Sequence, residues 1–112
     1  MQLALIQLAP RLLDRAANLE AALGRMEPAA GESPADLYLL PELFTSGYTF
    51  ARQEEVEGCS EAADRGPSLD AMAGFARHHQ CHVVYGFPER DGNKFYNSAN
   101  LVGPGGLIVT YR

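Results

Sequence analysis

Two turn signals, Asp91-Gly92-Asn93 and Gly103-Pro104-Gly105-Gly106, divide the final part of this chain into β-rich runs at residues 83–87, 95–102 and 107–111. Runs of this composition separated by such turns predict a meander of three strands. The pattern upstream is different. Residues 3–9 read as a short buried strand closed by Pro10, Asp14 offers an N-cap, and Ala16, Leu19, Leu23 and Met26 fall on one helical face. Residues 28–34, with Pro28, Gly31, Ser33 and Pro34, predict the end of that helix before a second strand over 35–40 that stops at Pro41-Glu42. Pro67 suits the first turn of a second helix, in which Leu69, Met72, Ala73 and Ala76 keep helical spacing to about Gln80. Between them no long element is predicted: Thr45-Ser46-Gly47-Tyr48 reads as a turn and Gln53-Glu54-Glu55-Val56-Glu57 as a solvated acidic stretch.

The order strand, helix, strand, helix and three strands predicts an α/β layered architecture with a mixed sheet. Several strands are apolar on both sides, so the sheet needs cover on both faces, and two helices cover only one. A further layer is therefore expected, missing here or supplied by a partner. Residues 107–112 end in a strand pattern with no breaker, whereas domain boundaries usually fall in linkers. The chain end thus points to the same missing layer.

Composition narrows the function. The 112 residues are 46% hydrophobic and 21% charged, which fits one soluble globular core. Nine basic against fourteen acidic side chains give a net charge of -5, so neither nucleic acid nor an anionic membrane is an expected partner. The first apolar run lacks a basic leader and a small-residue cleavage site, and no stretch approaches the roughly 18 apolar residues of a membrane span. The expected location is cytoplasmic. Cys59 and Cys81 make no CxxC pair and are read as reduced thiols.

The stretch richest in chemistry is Leu39-Leu40-Pro41-Glu42-Leu43-Phe44-Thr45-Ser46-Gly47-Tyr48. It sets one carboxylate at the end of a strand among apolar neighbours, where desolvation suits a general base. The other reading is that Glu42 caps or salt-bridges a loop.

Here the sequence resembles the nitrilase superfamily of carbon-nitrogen hydrolases, whose members carry Pro-Glu-(Leu or Met)-Phe and then Gly-Tyr after the second strand. Residues 1–10 resemble the family's first strand. Tyr85-Gly86-Phe87-Pro88-Glu89 and Phe95-Tyr96-Asn97-Ser98-Ala99 resemble its Gly-x-x-Glu strand and the Tyr-Asn-Ser-Ala strand that follows. Residues 105–112 resemble the strand leading into its catalytic lysine. The resemblance implies the N-terminal portion of a four-layer α-β-β-α sandwich and a Glu-Lys-Cys triad of which only Glu42 lies in this chain. The lysine is expected directly after Arg112 and the cysteine some tens of residues later. It implies an amidase-like hydrolase of non-peptide C–N bonds that uses no cofactor, acts on a small amide or nitrile, and forms a homodimer. These 112 residues alone are expected to be inactive. Tyr48 is either a pocket-lining residue, as the resemblance implies, or a packing anchor. Asn97 and Ser98 are read as structural, as a buried amide and hydroxyl in need of partners.

Other signals are weaker. Cys81 and His82 are neighbours whose side chains should point to opposite faces, which argues against a nucleophilic dyad. Acidic surroundings should raise the Cys59 thiol. His78, His79 and His82 lack further ligands at metal spacing, so no metal site is expected. The 103–106 glycines fit a hairpin rather than a phosphate cradle. Lys94 and Arg112 read as isolated positive charges. Two rival functions remain: a non-catalytic relative acting as a binding or assembly module, and an unrelated doubly wound α/β domain holding a small ligand, which would need a helix after nearly every strand.

Overall fold

A computed structural model describes residues 1–112. The elements are β1 (Leu3–Leu5), α1 (Arg15–Glu32), β2 (Leu37–Leu39), α2 (Gln53–Cys59), α3 (Pro67–His79), β3 (His82–Asp91), β4 (Lys94–Gly103) and β5 (Gly106–Tyr111). All five strands form one sheet in sequence order, with β1 to β3 parallel and β3 to β5 antiparallel. Parallel neighbours require a crossover, which α1 supplies for the first pair and the α2–α3 segment for the second. Antiparallel neighbours need only tight turns. The pair Asp91↔Lys94 leaves a two-residue loop with Gly92 at φ 61°, and the pair Gly103↔Gly106 leaves Pro104-Gly105. The mixed sheet and the meander expected from the sequence are both present.

Residues paired across a ladder share a face. Ala4, Tyr38, Val83, Val102 and Leu107 form one row across all five strands, and Leu5, Leu39, Val84, Leu101 and Val109 form the next. The first row lies under the helices. Ala22, Met26 and Ala30 of α1 and Met72, Phe75 and Ala76 of α3 join Tyr38, Val83 and Val102 in one core, and Tyr38 meets Phe75 edge-on at 5.0 Å. The second row opens outward: Leu5 and Val109 are exposed, together with Leu3, Ile108 and Tyr111. One apolar face is covered and the other is not, as the strand pattern and two helices implied.

Four local features depart from expectation. The first strand is Leu3–Leu5, extended only by Ile6 N–H donating to Leu39 O at 2.9 Å, because its partner β2 ends there. Helix α1 does not stop at Pro28 but continues to Glu32. Pro28 and the Gly24 four residues before it are both exposed, and a Cβ at Gly24 would meet nothing within 4 Å. The lost hydrogen bond thus lies on the solvent side while Met26 and Ala30 hold the buried side.

The buried stripe of α1 is Asn18, Ala22, Met26 and Ala30, rotated from the expected Ala16, Leu19, Leu23 and Met26. Asn18 anchors it: its Oδ1 accepts from Arg11 N at 2.7 Å, and its Nδ2 donates to Arg11 O at 2.8 Å and Thr45 O at 3.1 Å. A buried amide satisfied this fully packs as well as an apolar residue. Finally, Gln53–Cys59 is helical rather than an irregular acidic stretch. Glu55 Oε2 accepts from Ala51 N at 2.7 Å at its start, and Glu54 and Glu55 in the first turn suit the positive end of the helix dipole.

Candidate active site

β2 delivers Glu42. Leu40 N donates to Val84 O at 2.9 Å on the β3 side, and on the β1 side Pro41, one residue on, has no N–H with which to continue the pairing. The chain then turns sharply, with Leu43 in the left-handed region at φ 47° and Gly47 N donating to Leu43 O at 2.8 Å. This turn rests directly on β3. A Cβ at Gly86 would lie 2.7 Å from Leu43 N, 2.8 Å from Glu42 Cα and 3.0 Å from Pro41 O. A glycine within a strand often marks such close backbone approach.

Leu43, Phe44, Thr45 and Ser46 are buried, while Glu42 is exposed. Phe44 packs edge-on to Tyr85 at 6.2 Å between centroids. The apolar neighbours thus turn into the core and leave the carboxylate outside, so residues 1–112 do not supply the desolvation that the sequence suggested. Glu42 instead edges a cavity of about 390 Å³ with Val84, Gly86, Asn97, Ala99 and Tyr111. Val84, Gly86, Ala99 and Tyr111 belong to the open face of the sheet.

Asn97 Nδ2 donates to Glu42 Oε1 at 2.5 Å. The expectation that Asn97 is a buried structural amide is therefore corrected: it is exposed, and its partner is the candidate base. Pro88↔Asn97 pairing places it on the open face, while Ser98, one residue on, is buried on the other. Asn97 also touches an apolar groove of about 240 Å³ lined by Leu43, Phe50, Val56, Pro88, Phe95 and Tyr96. Tyr48 is 56% exposed, which removes the reading of a core anchor, and it lines neither cavity.

A second carboxylate, Glu89, stood in the Gly-x-x-Glu motif without a role. Glu89 is 3% exposed and accepts from Ser98 Oγ at 2.6 Å and from Arg112 Nη2 at 2.6 Å. Arg112 is thus not an isolated charge: it also reaches Asp91 Oδ2 at 2.9 Å and lies 4.1 Å over the Tyr96 ring. The guanidinium, outweighing burial, holds the Glu89 carboxyl below the ordinary glutamate range, with help from Ser98. Two hairpin registers bring these residues together, so only strand pairing worked out across both turns would have revealed them.

Neither thiol is near Glu42's cavity. Burial pushes both upward, and at Cys59 the neighbouring Glu55 adds only a small part of the rise expected from acidic surroundings. Cys81 is buried and His82 exposed, on opposite sides as expected. His79 pairs with Glu27 of α1 at 2.8 Å. A second groove of about 390 Å³ lies at the start of α1, between Leu13, Asp14, Leu19 and Cys59, and its Asp14 is engaged in capping Ala17 N at 3.1 Å.

The family model that matches this chain is described as carbon-nitrogen hydrolase and covers residues 2–112. A nitrilase of Pyrococcus abyssi is 35% identical over 112 residues, which is all of this chain and 42% of that protein. An (R)-stereoselective amidase of a Pseudomonas species is 34% identical over 114 residues, with 100% of this chain and 39% of the amidase covered. Among solved structures, an N-terminal amidase superposes with a TM-score of 0.91 at 28% identity, covering 100% of this chain and 27% of its own. The chain spans about two-fifths of the length of the curated relatives it matches.

Proposed function

This chain belongs to the carbon-nitrogen hydrolase family, and from that premise we propose that it carries the general base, Glu42, of an amidase-like enzyme acting on non-peptide C–N bonds of a small amide or nitrile. In this reading the catalytic lysine follows Arg112 and the cysteine comes later in a longer protein that dimerises through its sandwich. A cysteine thiol gives its proton to Glu42 and its thiolate attacks the substrate carbon. For an amide, the C–N bond breaks, ammonia or an amine leaves with that proton, and a thioester forms. Glu42 then takes a proton from water, the hydroxide attacks the thioester, and the acid departs as the thiol is restored. A lysine ammonium stabilises the developing oxyanion.

The observation that carries the reading is the placement of Glu42: exposed at the wall of an open cavity, with one oxygen held by Asn97 at 2.5 Å. The strand register supports it. If the Ala99↔Tyr111 pairing continued by two residues, the position after Arg112 would lie opposite Asn97 on the Glu42 side of the sheet. Tyr48 is kept as a substrate-side residue, since its ring is free of the core.

A second reading, a non-catalytic binding or assembly module, draws on the uncovered row from Leu5 to Val109. The test begins with sequencing the coding region past Arg112. A lysine at the next codon and a later strand-ending cysteine are expected, and Glu42→Gln in that longer chain should then nearly abolish amide hydrolysis with the fold intact. A stop codon after Arg112, or near-normal turnover in the variant, overturns the proposal.

A further inference from the structure

We propose that Glu89 is a positioning residue for this site: by anchoring the Arg112 guanidinium on the helix-covered face of the sheet, it fixes where β5 runs beside Glu42 and Asn97 on the open face. The inference rests on the functional reading above and adds a residue to it. A carboxylate 3% exposed needs partners to offset its desolvation. Glu89 has them in a directional form: Arg112 Nε lies 3.0 and 3.2 Å from its two oxygens and Nη2 lies 2.6 Å from Oε1. This two-point geometry fixes the plane of the guanidinium, which a single contact would leave free to swing.

The anchor itself is rigid. β3 pairs with β4 at Glu89↔Tyr96, and on its other edge Glu61 N donates to Pro88 O at 3.0 Å while Arg90 N donates to Glu61 O at 2.7 Å. Ser98 Oγ completes the carboxylate at 2.6 Å. By contrast β5 pairs within residues 1–112 with β4 alone, its ladder shifts register at Leu101/Val102, and Ile108, Val109 and Tyr111 are exposed in this part of the protein. Thr110 donates its hydroxyl to Asn100 Oδ1 at 2.6 Å, and past the Ala99↔Tyr111 pair it is Arg112, through Glu89 and Asp91, that holds β5 against the hairpin.

The two sides of β4 connect clamp and site. Ser98 on the covered side bonds Glu89, and Asn97 on the open side bonds Glu42. A shift of β5 against β4 therefore changes the geometry around Glu42 without touching Glu42 itself. A misplacement of about 1 Å costs on the order of a hundredfold in rate for an oriented reaction.

The test uses the longer chain that carries the lysine and cysteine, with amide hydrolysis and thermal unfolding measured on Glu89→Gln, Arg112→Lys, Asp91→Asn and Glu42→Gln. Rates are taken below each unfolding midpoint and counted per reactive thiol, so loss of folded protein does not enter. Glu89→Gln and Arg112→Lys are each expected to lower kcat at least about tenfold while KM changes less than about threefold, because binding stays and alignment is lost. Asp91→Asn, which keeps the two-point contact, is expected to stay within about twofold. Wild-type kcat in both clamp variants overturns the positioning role if Glu42→Gln is inactive. Activity in Glu42→Gln overturns the reading of the base instead.

Discussion

Glu42 Cα would lie 2.8 Å from a Cβ on Gly86, so the turn that carries the candidate base is seated on bare backbone. Gly86→Ala forces that turn outward, because the opposing atoms are backbone and cannot rotate away. The variant is expected to lose about 1–3 kcal/mol of stability and, in the longer chain, at least about tenfold in kcat. Chemical denaturation and amide hydrolysis check the two effects, and unchanged values in both would refute the close contact.

Asn97 is the one hydrogen-bond donor on Glu42's side chain. Asn97→Ala should lower kcat by about three- to tenfold through loss of that alignment. Asn97→Asp should cost more, since it sets a second carboxylate against the first. Equal rates in the two variants would show that charge beside Glu42 is immaterial.

The Glu89 carboxyl titrates below the ordinary glutamate value because Arg112 binds its ionised form. A group whose pKa is lower folded than unfolded adds stability above its unfolded value of about 4.3 and loses it as pH falls through the folded value. Denaturant midpoints are therefore expected to fall more steeply for the wild type than for Glu89→Gln between neutral pH and the range below 4. Parallel pH curves would contradict the pairing.

Thr45 is fully buried and its Oγ1 has no hydrogen-bond partner, while its carbonyl accepts from Asn18. Thr45→Val keeps the shape and removes only the unpaired hydroxyl, so it should raise stability by about 1 kcal/mol. Destabilisation on thermal melting would mean that the hydroxyl is satisfied in solution.

Much of this was legible in the sequence because it depends on local chemistry. The glycines at 92 and 106 sit at φ 61° and 110°, which the turn composition anticipated, and Asp14 caps α1 as read. What escaped depends on tertiary partners. Pro28 stays helical because Ala22, Met26 and Ala30 are held in the core, an advantage no propensity at residue 28 records. Asn18 is invisible to a hydrophobic pattern although it occupies the buried stripe. The motif singled out Glu42 as a candidate but not its exposure, because the neighbouring Leu43 and Phe44 turn into the core. Arg112 looked solitary because its partner is separated from it by two hairpins.

The strand order also sets an order in time. β3, β4 and β5 join through tight turns, so their contacts are local and close on the microsecond scale of hairpins. Leu3 must find Leu37, and Leu37 must find His82, across whole helices, which is a slower search. Glu42 sits at the end of β2, whereas Asn97 belongs to the early hairpin. The Glu42–Asn97 hydrogen bond is thus expected to form late in folding, and a chain stalled with only its meander formed would hold the Glu89–Arg112 clamp shut while the candidate base was still at large.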